Sequence, residues 1–310
     1  MILFGVTLSY IDLQGTIGSA TRLGLALPII LVPGTCWHLL RTWGWSIAFP
    51  DDARPAFTRL FRVRLAADAI SFFTVRGIAG EPLKVVLLYD RTAPEITTAS
   101  VALERLAFAI IGTLVAGLVS FFAVRRLDLS PAWEIVFRLL SVTAVLMLAA
   151  LVFAARRRSG DYLGQLVVAL DRVTGRRLEA SRVIRFVLDV EDILLDLLRG
   201  NPRRLLILFV LAVVCYGLMA VEVWLVFWAI GEPIGVMQGL AVETFARLGS
   251  VASAAIPANL GALEASNASV VTALGLTGGG SLALARRIRS LLWAALGLAL
   301  YPRIRTDTRW

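Results

Sequence analysis

Two glutamates, Glu81 and Glu264, lie within apolar sequence and have arginines at nearly the same spacings. One arginine precedes each glutamate by 17 residues (81 − 64 and 264 − 247), and another follows it by 24 or 23 residues (105 − 81 and 287 − 264): Arg64, Arg105, Arg247 and Arg287. A carboxylate at membrane depth costs several kcal/mol unless it is paired or solvated. We therefore expect arginines from flanking helices to pair with both glutamates.

Helix-breaking sequence directly precedes each glutamate. Residues 77–82 are Gly-Ile-Ala-Gly-Glu-Pro, and residues 257–264 begin with Pro and contain Gly three positions before the glutamate. The apolar run at residues 65–75 is also too short to cross a hydrocarbon core of about 30 Å. Non-helical backbone at that depth is tolerated only where it is buried in protein or lines a wet cavity. The sequence therefore predicts two broken or re-entrant helices, which is typical of transporters with two related halves.

These charged groups could together bind a zwitterionic or anionic lipid headgroup. Arginine suits phosphate because its planar fork donates hydrogen bonds in pairs, and helix N-termini at the breaks would add affinity for anions. The candidate substrate-binding residues are Arg64, Glu81, Lys84, Glu104, Arg105, Arg247, Asn259, Glu264 and Arg287. An alternative stays open, in which Glu81–Arg105 and Glu264–Arg287 are static pairs that staple helices together.

The composition indicates a membrane protein. The 310 residues are 58% hydrophobic and 17% charged, whereas soluble domains have about 25% charged residues. The net charge of +9 does not indicate nucleic-acid binding, because the basic residues flank apolar runs, as at anionic lipid surfaces. Cys36, Cys215 and the single histidine, His38, offer no metal or disulfide pattern, so we expect no cofactor. We expect His38, beside Trp37, to lie at the membrane interface.

We predict an all-α integral membrane domain of about seven to eight helical segments, with two pseudo-symmetric halves. The first half covers about residues 20–155 and the second about residues 205–305. Between them, at about residues 156–204, apolar residues recur at helical spacing among many charges, which predicts an interfacial amphipathic helix. Its arginines favour the cytoplasmic side of the cell inner membrane. A simple up-and-down count does not place this segment and the basic connection at residues 51–64 on the same side.

Three further acids lie outside the set of candidate substrate-binding residues. Glu222 lies in an apolar run, and bonding to a neighbouring helix or relaying protons are equally open to it. Asp68 is in the short run before Glu81, where it could line the same cavity. Glu232 is expected to be a loop residue.

Several of these motifs resemble a known family. They are Gly80-Glu81-Pro82-Leu83-Lys84, Glu104-Arg105-Leu106, Ile256-Pro257, Gly261, Glu264, Leu274-Gly275 and Arg287. In this order they resemble the flippase-like family named for the transmembrane region of lysylphosphatidylglycerol synthase. The resemblance implies an all-helical inner-membrane protein that handles lipids or lipid-linked groups.

The chain departs from the family pattern at two places. Thr74 and Val75 stand where the first motif usually has a proline, and Lys84 stands where the family often has arginine. Lysine keeps the charge but loses the bidentate fork, which weakens phosphate recognition in the first half. If one half binds a headgroup more tightly, we expect it to be the second, around Pro257, Asn259 and Glu264. The full synthases carry a large cytosolic aminoacyl-transfer domain for which 310 residues leave no room, so we expect no synthase activity.

Three functions remain open at this point. The leading hypothesis is a flippase or transporter of a phospholipid or lipid-linked headgroup. The alternative is a membrane accessory subunit of a lipid- or glycolipid-modifying enzyme, whose partner would supply the chemistry. A membrane-embedded enzyme using the two glutamates as acid and base is the weakest hypothesis, since no nucleophile or metal cluster supports it.

Overall fold

The computed structural model describes residues 13–74, 79–156, 181–252, 256 and 261–302, and all secondary structure in these ranges is helical. We number the helices in chain order. They are α1 (Leu13–Ile47), α2 (Phe57–Phe73), α3 (Gly80–Leu88), α4 (Pro94–Arg126), α5 (Pro131–Arg156), α6 (Arg182–Gly200), α7 (Pro202–Ile230), α8 (Val236–Ala252), α9 (Ala262–Ala273) and α10 (Gly279–Ala299). The predicted all-α fold is confirmed. The ten described helices form eight segments when each broken pair is counted once.

Four described helices are long and apolar enough to cross a membrane: Leu23–Ile47, Pro94–Arg126, Pro131–Phe153 and Pro202–Ile230. The third of these, within α5, is the most peripheral, since only 11% of its apolar window is buried in the protein. An apolar surface of this size on a helix indicates contact with lipid.

One end of the bundle, which we call the basic end, brings together the α1–α2 loop, the start of α7 and the end of α10. Arg204, in the first turn of α7, donates to the carbonyl of Phe49 at 3.2 Å and pairs with Asp51 at 3.0 Å. Arg62, near the start of α2, donates to the carbonyl of Leu300 at 3.1 Å. The opposite end joins the α7–α8 loop to the α9–α10 turn, where Glu232 accepts hydrogen bonds from the backbone of Thr277 and Gly278.

The first hairpin consists of α2 and α3. The start of α2 and the end of α3 lie at the basic end. Gly80, the first residue of α3, lies so close to α2 that a Cβ there would come within 2.8 Å of the Ala67 carbonyl. At the other end of the hairpin, Arg59 donates to the Leu87 carbonyl at 2.9 Å and pairs with Asp90 at 3.2 Å. The chain therefore leaves the basic end in α2 and returns to it in α3.

The second hairpin consists of α8 and α9. The start of α8 and the end of α9 lie at the opposite end. Gly249 of α8 lies against Ser266 of α9, which again allows close approach of the two helices. Because α8 begins just after Glu232 and α9 ends just before Thr277, both helices meet the opposite end. The segments α1–α4 and α7–α10 therefore have the same order of elements in inverted orientation.

The two halves are packed into each other. In α10 of the second half, Gly297 touches the backbone of Leu65 in α2 of the first half, closer than any side chain would allow. Helices α1 and α7 pack along each other, with Gly44 of α1 against Leu208 and Leu211 of α7. Small residues at these crossings bring the helix backbones close together.

The amphipathic helix is α6, and it packs against the bundle at the basic end. Its apolar side meets the end of α1, α4 and α7 through residues of one core cluster: Val190, Ile193, Leu194, Leu197 and Leu198 against Ile47, Ala48, Ala99, Leu103 and Leu208. The remainder of the predicted segment, residues 157–180, lies outside the described residues.

The first hairpin determines which end of the bundle the two basic segments face. Since α2 and α3 return the chain to the end from which they left, α4 runs to the opposite end and α5 runs back beside it, with Ser141 of α5 donating to the Gly117 carbonyl of α4. The basic connection at residues 51–64 and the end of α5 therefore point the same way, which agrees with the preference of arginine for one membrane side.

Candidate functional site

The first ionic cluster begins with Glu81, which lies in the first turn of α3. Its carboxylate pairs with Lys84 at 3.0 Å and with Arg105 of α4. Lys84 is almost completely buried, while half of the Arg105 side chain is exposed. The break after α2 thus positions a carboxylate between one inaccessible cation and one that a ligand could reach.

Behind this pair, Glu104 forms the centre of a buried network. Its side chain is 1% exposed and accepts hydrogen bonds from Nη2 of Arg41 on α1 at 3.0 Å and from Nη2 of Arg64 on α2 at 3.3 Å. Arg64 also donates to the Arg41 carbonyl at 3.0 Å. Because removing one partner of a buried ion pair leaves an uncompensated charge, this network holds α1, α2 and α4 together.

The second ionic cluster begins with Glu264, at the start of α9. Its carboxylate accepts from the Nε of Arg287 on α10 at 2.9 Å and from the Gly261 N–H at 3.0 Å. Gly261 has φ 78°, a conformation that glycine adopts at little cost. The start of α9 is therefore capped by its own carboxylate, so it is less available to a bound anion than the sequence pattern implies.

A buried network again lies behind the carboxylate. Glu243 of α8 pairs with two arginines. It lies 2.8 Å from Arg247, four residues later, and 2.6 Å from Arg286 of α10. Arg286 also donates to Asn267 of α9 at 2.9 Å. Glu222 is fully buried on α7 and pairs with Arg289, so of the two roles left open for it the structure shows contact with a neighbouring helix.

The clusters have the same charge content. The first contains four cations and three carboxylates, namely Arg41, Arg64, Lys84 and Arg105 with Asp68, Glu81 and Glu104. The second also contains four cations and three carboxylates, namely Arg247, Arg286, Arg287 and Arg289 with Glu222, Glu243 and Glu264. Each cluster thus has one cation in excess, which favours an anionic group.

Most of the predicted site residues lie in these two clusters. Arg64, Glu81, Lys84, Glu104 and Arg105 come together in the first, and Arg247, Glu264 and Arg287 in the second. Asn259 and Pro257 lie outside the described residues. The two expected pairs, Glu81–Arg105 and Glu264–Arg287, are both present.

Other members of the clusters were not among the predicted site residues: Arg41, Glu222, Glu243, Asn267, Arg286 and Arg289. A signal existed for Glu243, which precedes Arg247 by four residues, the spacing at which oppositely charged side chains meet on a helix. Arg41 had no such signal, since its partner Glu104 lies 63 residues away in the sequence.

His38 lies elsewhere than the sequence indicates. It is 8% exposed and packs between the halves, with its ring 4.2 Å from the ring of Trp293 on α10. The apolar sequence and the adjacent Trp37 resemble a membrane-interface segment, but the tertiary packing of α1 against α10 buries the imidazole.

Glu232 is a loop residue, as expected, and it also has a structural role. Its carboxylate accepts from the N–H groups of Thr277 and Gly278 at 2.8 and 2.9 Å, directly before α10. Carboxylates at a helix N-terminus satisfy otherwise unpaired N–H groups and interact favourably with the helix dipole.

One of the comparisons with known proteins gives a match. A family model described as "Lysylphosphatidylglycerol synthase TM region" matches residues 4–299. No curated protein and no solved structure matches the chain. Within the described residues, no group of three or more His, Cys, Asp or Glu side chains is placed to bind a metal ion.

Proposed function

The chain belongs to the family of the lysylphosphatidylglycerol synthase transmembrane region, and on this premise we propose that it moves a phospholipid or lipid-linked headgroup between the leaflets of the inner membrane. It is a multi-pass membrane protein of a family related to lipid modification or transport. The observation that carries the proposal is the pair of inverted hairpins, each with a carboxylate at the start of its return helix. Each carboxylate is bound to an arginine of the long helix that follows.

The geometry supports a path for the lipid headgroup with two similar binding positions, one at each ionic cluster. One hairpin opens towards each end of the bundle, so a rearrangement that exposes one hairpin to its own side need not expose the other. Inverted repeats commonly perform alternating access in this way. A headgroup released from one cluster would then meet a second cluster with the same excess of one positive charge.

The chemistry of the reachable side chains fits a phosphate group. Arg105 in the first cluster and Arg247 in the second are the most exposed of the paired cations, while their neighbours Lys84 and Arg286 are buried. Arg247 also stacks on the ring of Tyr216, with its guanidinium carbon 4.3 Å from the ring centroid. A guanidinium held over an aromatic ring is positioned to donate to phosphate oxygens with little loss of side-chain entropy.

The test is lipid exchange in vesicles. Purified protein in phosphatidylcholine vesicles containing a trace of fluorescent phosphatidylglycerol or polyprenyl phosphate is treated with dithionite, which bleaches only the outer leaflet. We expect wild-type protein to raise the bleached fraction above that of protein-free vesicles. Glu81→Gln and Glu264→Gln should abolish the rise, and Glu134→Gln, a partly exposed carboxylate on α5 outside both clusters, should not. The proposal is wrong if wild-type protein moves neither lipid.

One observation favours the accessory-subunit alternative. Asp189, Asp192 and Asp196 on α6 are exposed at the basic end and recur at spacings that place them on one helix face. A partner enzyme with a basic surface could dock there. Affinity purification from mild detergent that recovers a lipid-modifying enzyme with wild-type protein, and loses it with the three aspartates changed to asparagine, would establish this alternative.

A further inference from the structure

His38 is the single histidine of the chain and lies where the two halves meet. Its ring packs against Trp293 of the second half at 4.2 Å and edge-on against Trp37 at 4.8 Å. Its Nδ1 is buried and makes no hydrogen bond. An unsatisfied buried polar atom is costly and commonly marks a functional position.

Asp68 of α2 faces this nitrogen without bonding to it. The Asp68 Oδ2 is 3.9 Å from His38 Nδ1 and 3.8 Å from Arg64 Nε, both beyond hydrogen-bond distance. Both of these nitrogens are buried without a hydrogen-bond partner. About a third of the Asp68 side chain is exposed, so its carboxylate connects the buried imidazole to the protein surface. A small displacement would give Asp68 a full hydrogen bond to one nitrogen or the other.

Protonation of His38 would determine whether Asp68 bonds to His38 or to Arg64. Imidazole is the side chain whose charge ordinarily changes near neutral pH, and an added proton leaves both its nitrogens as donors. The charged groups that face His38 are Asp68 and Arg64 on α2, Arg289 on α10 and Arg41 on α1. From α7, Glu222 pairs with Arg289, and from α4, Glu104 pairs with Arg41 and Arg64.

Three guanidinium groups therefore oppose a proton on His38, and Asp68 is the carboxylate placed to stabilise it. An anionic headgroup beside these arginines would offset part of their charge and make protonation less costly. By linkage, a proton on His38 would strengthen headgroup binding by the same factor.

We propose that His38 and Asp68 form a proton-binding site that couples lipid movement to a transmembrane pH difference. The inference rests on the proposed function and adds its energy source. Proton uptake draws Asp68 from Arg64 towards His38. Because the imidazole also packs on Trp293, the shift of α2 is transmitted to α10 and so changes the relation between the halves.

The experiment measures exchange of fluorescent phosphatidylglycerol in phosphatidylcholine vesicles, with equal pH on both sides or a difference of one unit. A pH-sensitive dye inside the vesicles reports proton entry. One pH unit is a tenfold difference in proton activity, so we expect exchange to accelerate by up to about tenfold. His38→Gln should retain exchange at equal pH and lose the acceleration. Asp68→Asn should lose the acceleration too, and Asp52→Asn, an exposed loop carboxylate, should behave as wild type.

The outcomes separate the two proposals. Acceleration and proton entry in wild type and Asp52→Asn, but in neither His38→Gln nor Asp68→Asn, support the proton site. If wild-type exchange is insensitive to the gradient, or if His38→Gln responds as wild type does, the proton site is wrong while the transport function stands. If wild-type protein moves no lipid under either condition, both are wrong.

Discussion

Arg286 occupies in the second half the sequence position that Glu104 occupies in the first. Glu81 corresponds to Glu264 with an offset of 183 (264 − 81), and Glu104 corresponds to Arg286 with an offset of 182 (286 − 104). The charge at this position is thus reversed between the halves. In the first half, Glu104 pairs with two arginines. In the second half, Glu243, one turn before Arg247, pairs with two arginines instead.

This relationship predicts that the two bridging glutamates are equally important for stability. Glu104→Gln and Glu243→Gln should each destabilise the protein by about 3 kcal/mol or more, because either change leaves two guanidinium groups with too little negative charge. Denaturation in detergent monitored by tryptophan fluorescence measures the change. Glu134→Gln should cost less than about 0.5 kcal/mol, as is usual for a partly exposed surface residue. Loss of stability in one variant only would refute the equivalence of the two networks.

A second prediction concerns the closest contact between the halves. Gly297→Ala should destabilise the protein by about 1–3 kcal/mol, because its new methyl group would collide with the backbone of Leu65, which cannot rotate away as a side chain can. Gly112→Ala is the matched control, since no atom lies within 4 Å of its added Cβ. Alanine there should be neutral or stabilise α4 by up to about 1 kcal/mol. Equal melting temperatures for the two variants would contradict the packing of α10 on α2.

A third prediction concerns the cap on α10. Glu232→Ala should release the N–H groups of Thr277 and Gly278, which would then exchange hydrogen faster. Hydrogen–deuterium exchange with mass spectrometry on peptides covering residues 274–282 detects this. Peptides from α5 in the same variant serve as the internal control and should not change. Unchanged exchange at residues 274–282 would show that Glu232 does not hold the turn.

A fourth prediction concerns the sidedness of the hairpins. Single cysteines are introduced at four exposed positions after Cys36 and Cys215 have been replaced by alanine: Asp52, Arg91, Val236 and Thr277. Because each hairpin returns to its own end, a membrane-impermeant thiol reagent should label the first two positions from one side and the last two from the other. Labelling of Asp52→Cys and Arg91→Cys from opposite sides would mean that α2 and α3 cross the membrane as one span.

The sequence contained the pattern of this fold in considerable detail. The breaks before Glu81 and Glu264, the amphipathic spacing in α6 and the long apolar runs of α4, α5 and α7 are local properties, so they could be predicted without a structure. The inversion of the hairpins could not be predicted, because it depends on where α3 and α9 return. Residue spacing gives no information on the direction of return, and the contacts of Arg59 and Glu232 show it.

The same distinction applies to the site. The pairs Glu81–Arg105 and Glu264–Arg287 could be predicted because each glutamate has an arginine in the next long helix. The role of Arg41 could not be predicted, because Arg41 and its partner Glu104 lie on different helices and are 63 residues apart in sequence. His38 was misplaced for a similar reason, since α2 and α10 as well as its neighbour Trp37 surround its ring.

The most direct test of the central claim asks whether Arg287 binds a headgroup or only staples α10 to α9. Arg287→Lys keeps the charge opposite Glu264 but removes the guanidinium fork. We predict a melting temperature close to that of wild type and a lipid-exchange rate at least about tenfold lower, corresponding to the loss of about 1.4 kcal/mol of bidentate binding. Arg138→Lys, in the exposed pair with Glu134, should exchange lipid as wild type does. If Arg287→Lys exchanges lipid within about twofold of wild type, the pair is a structural staple and the account is contradicted.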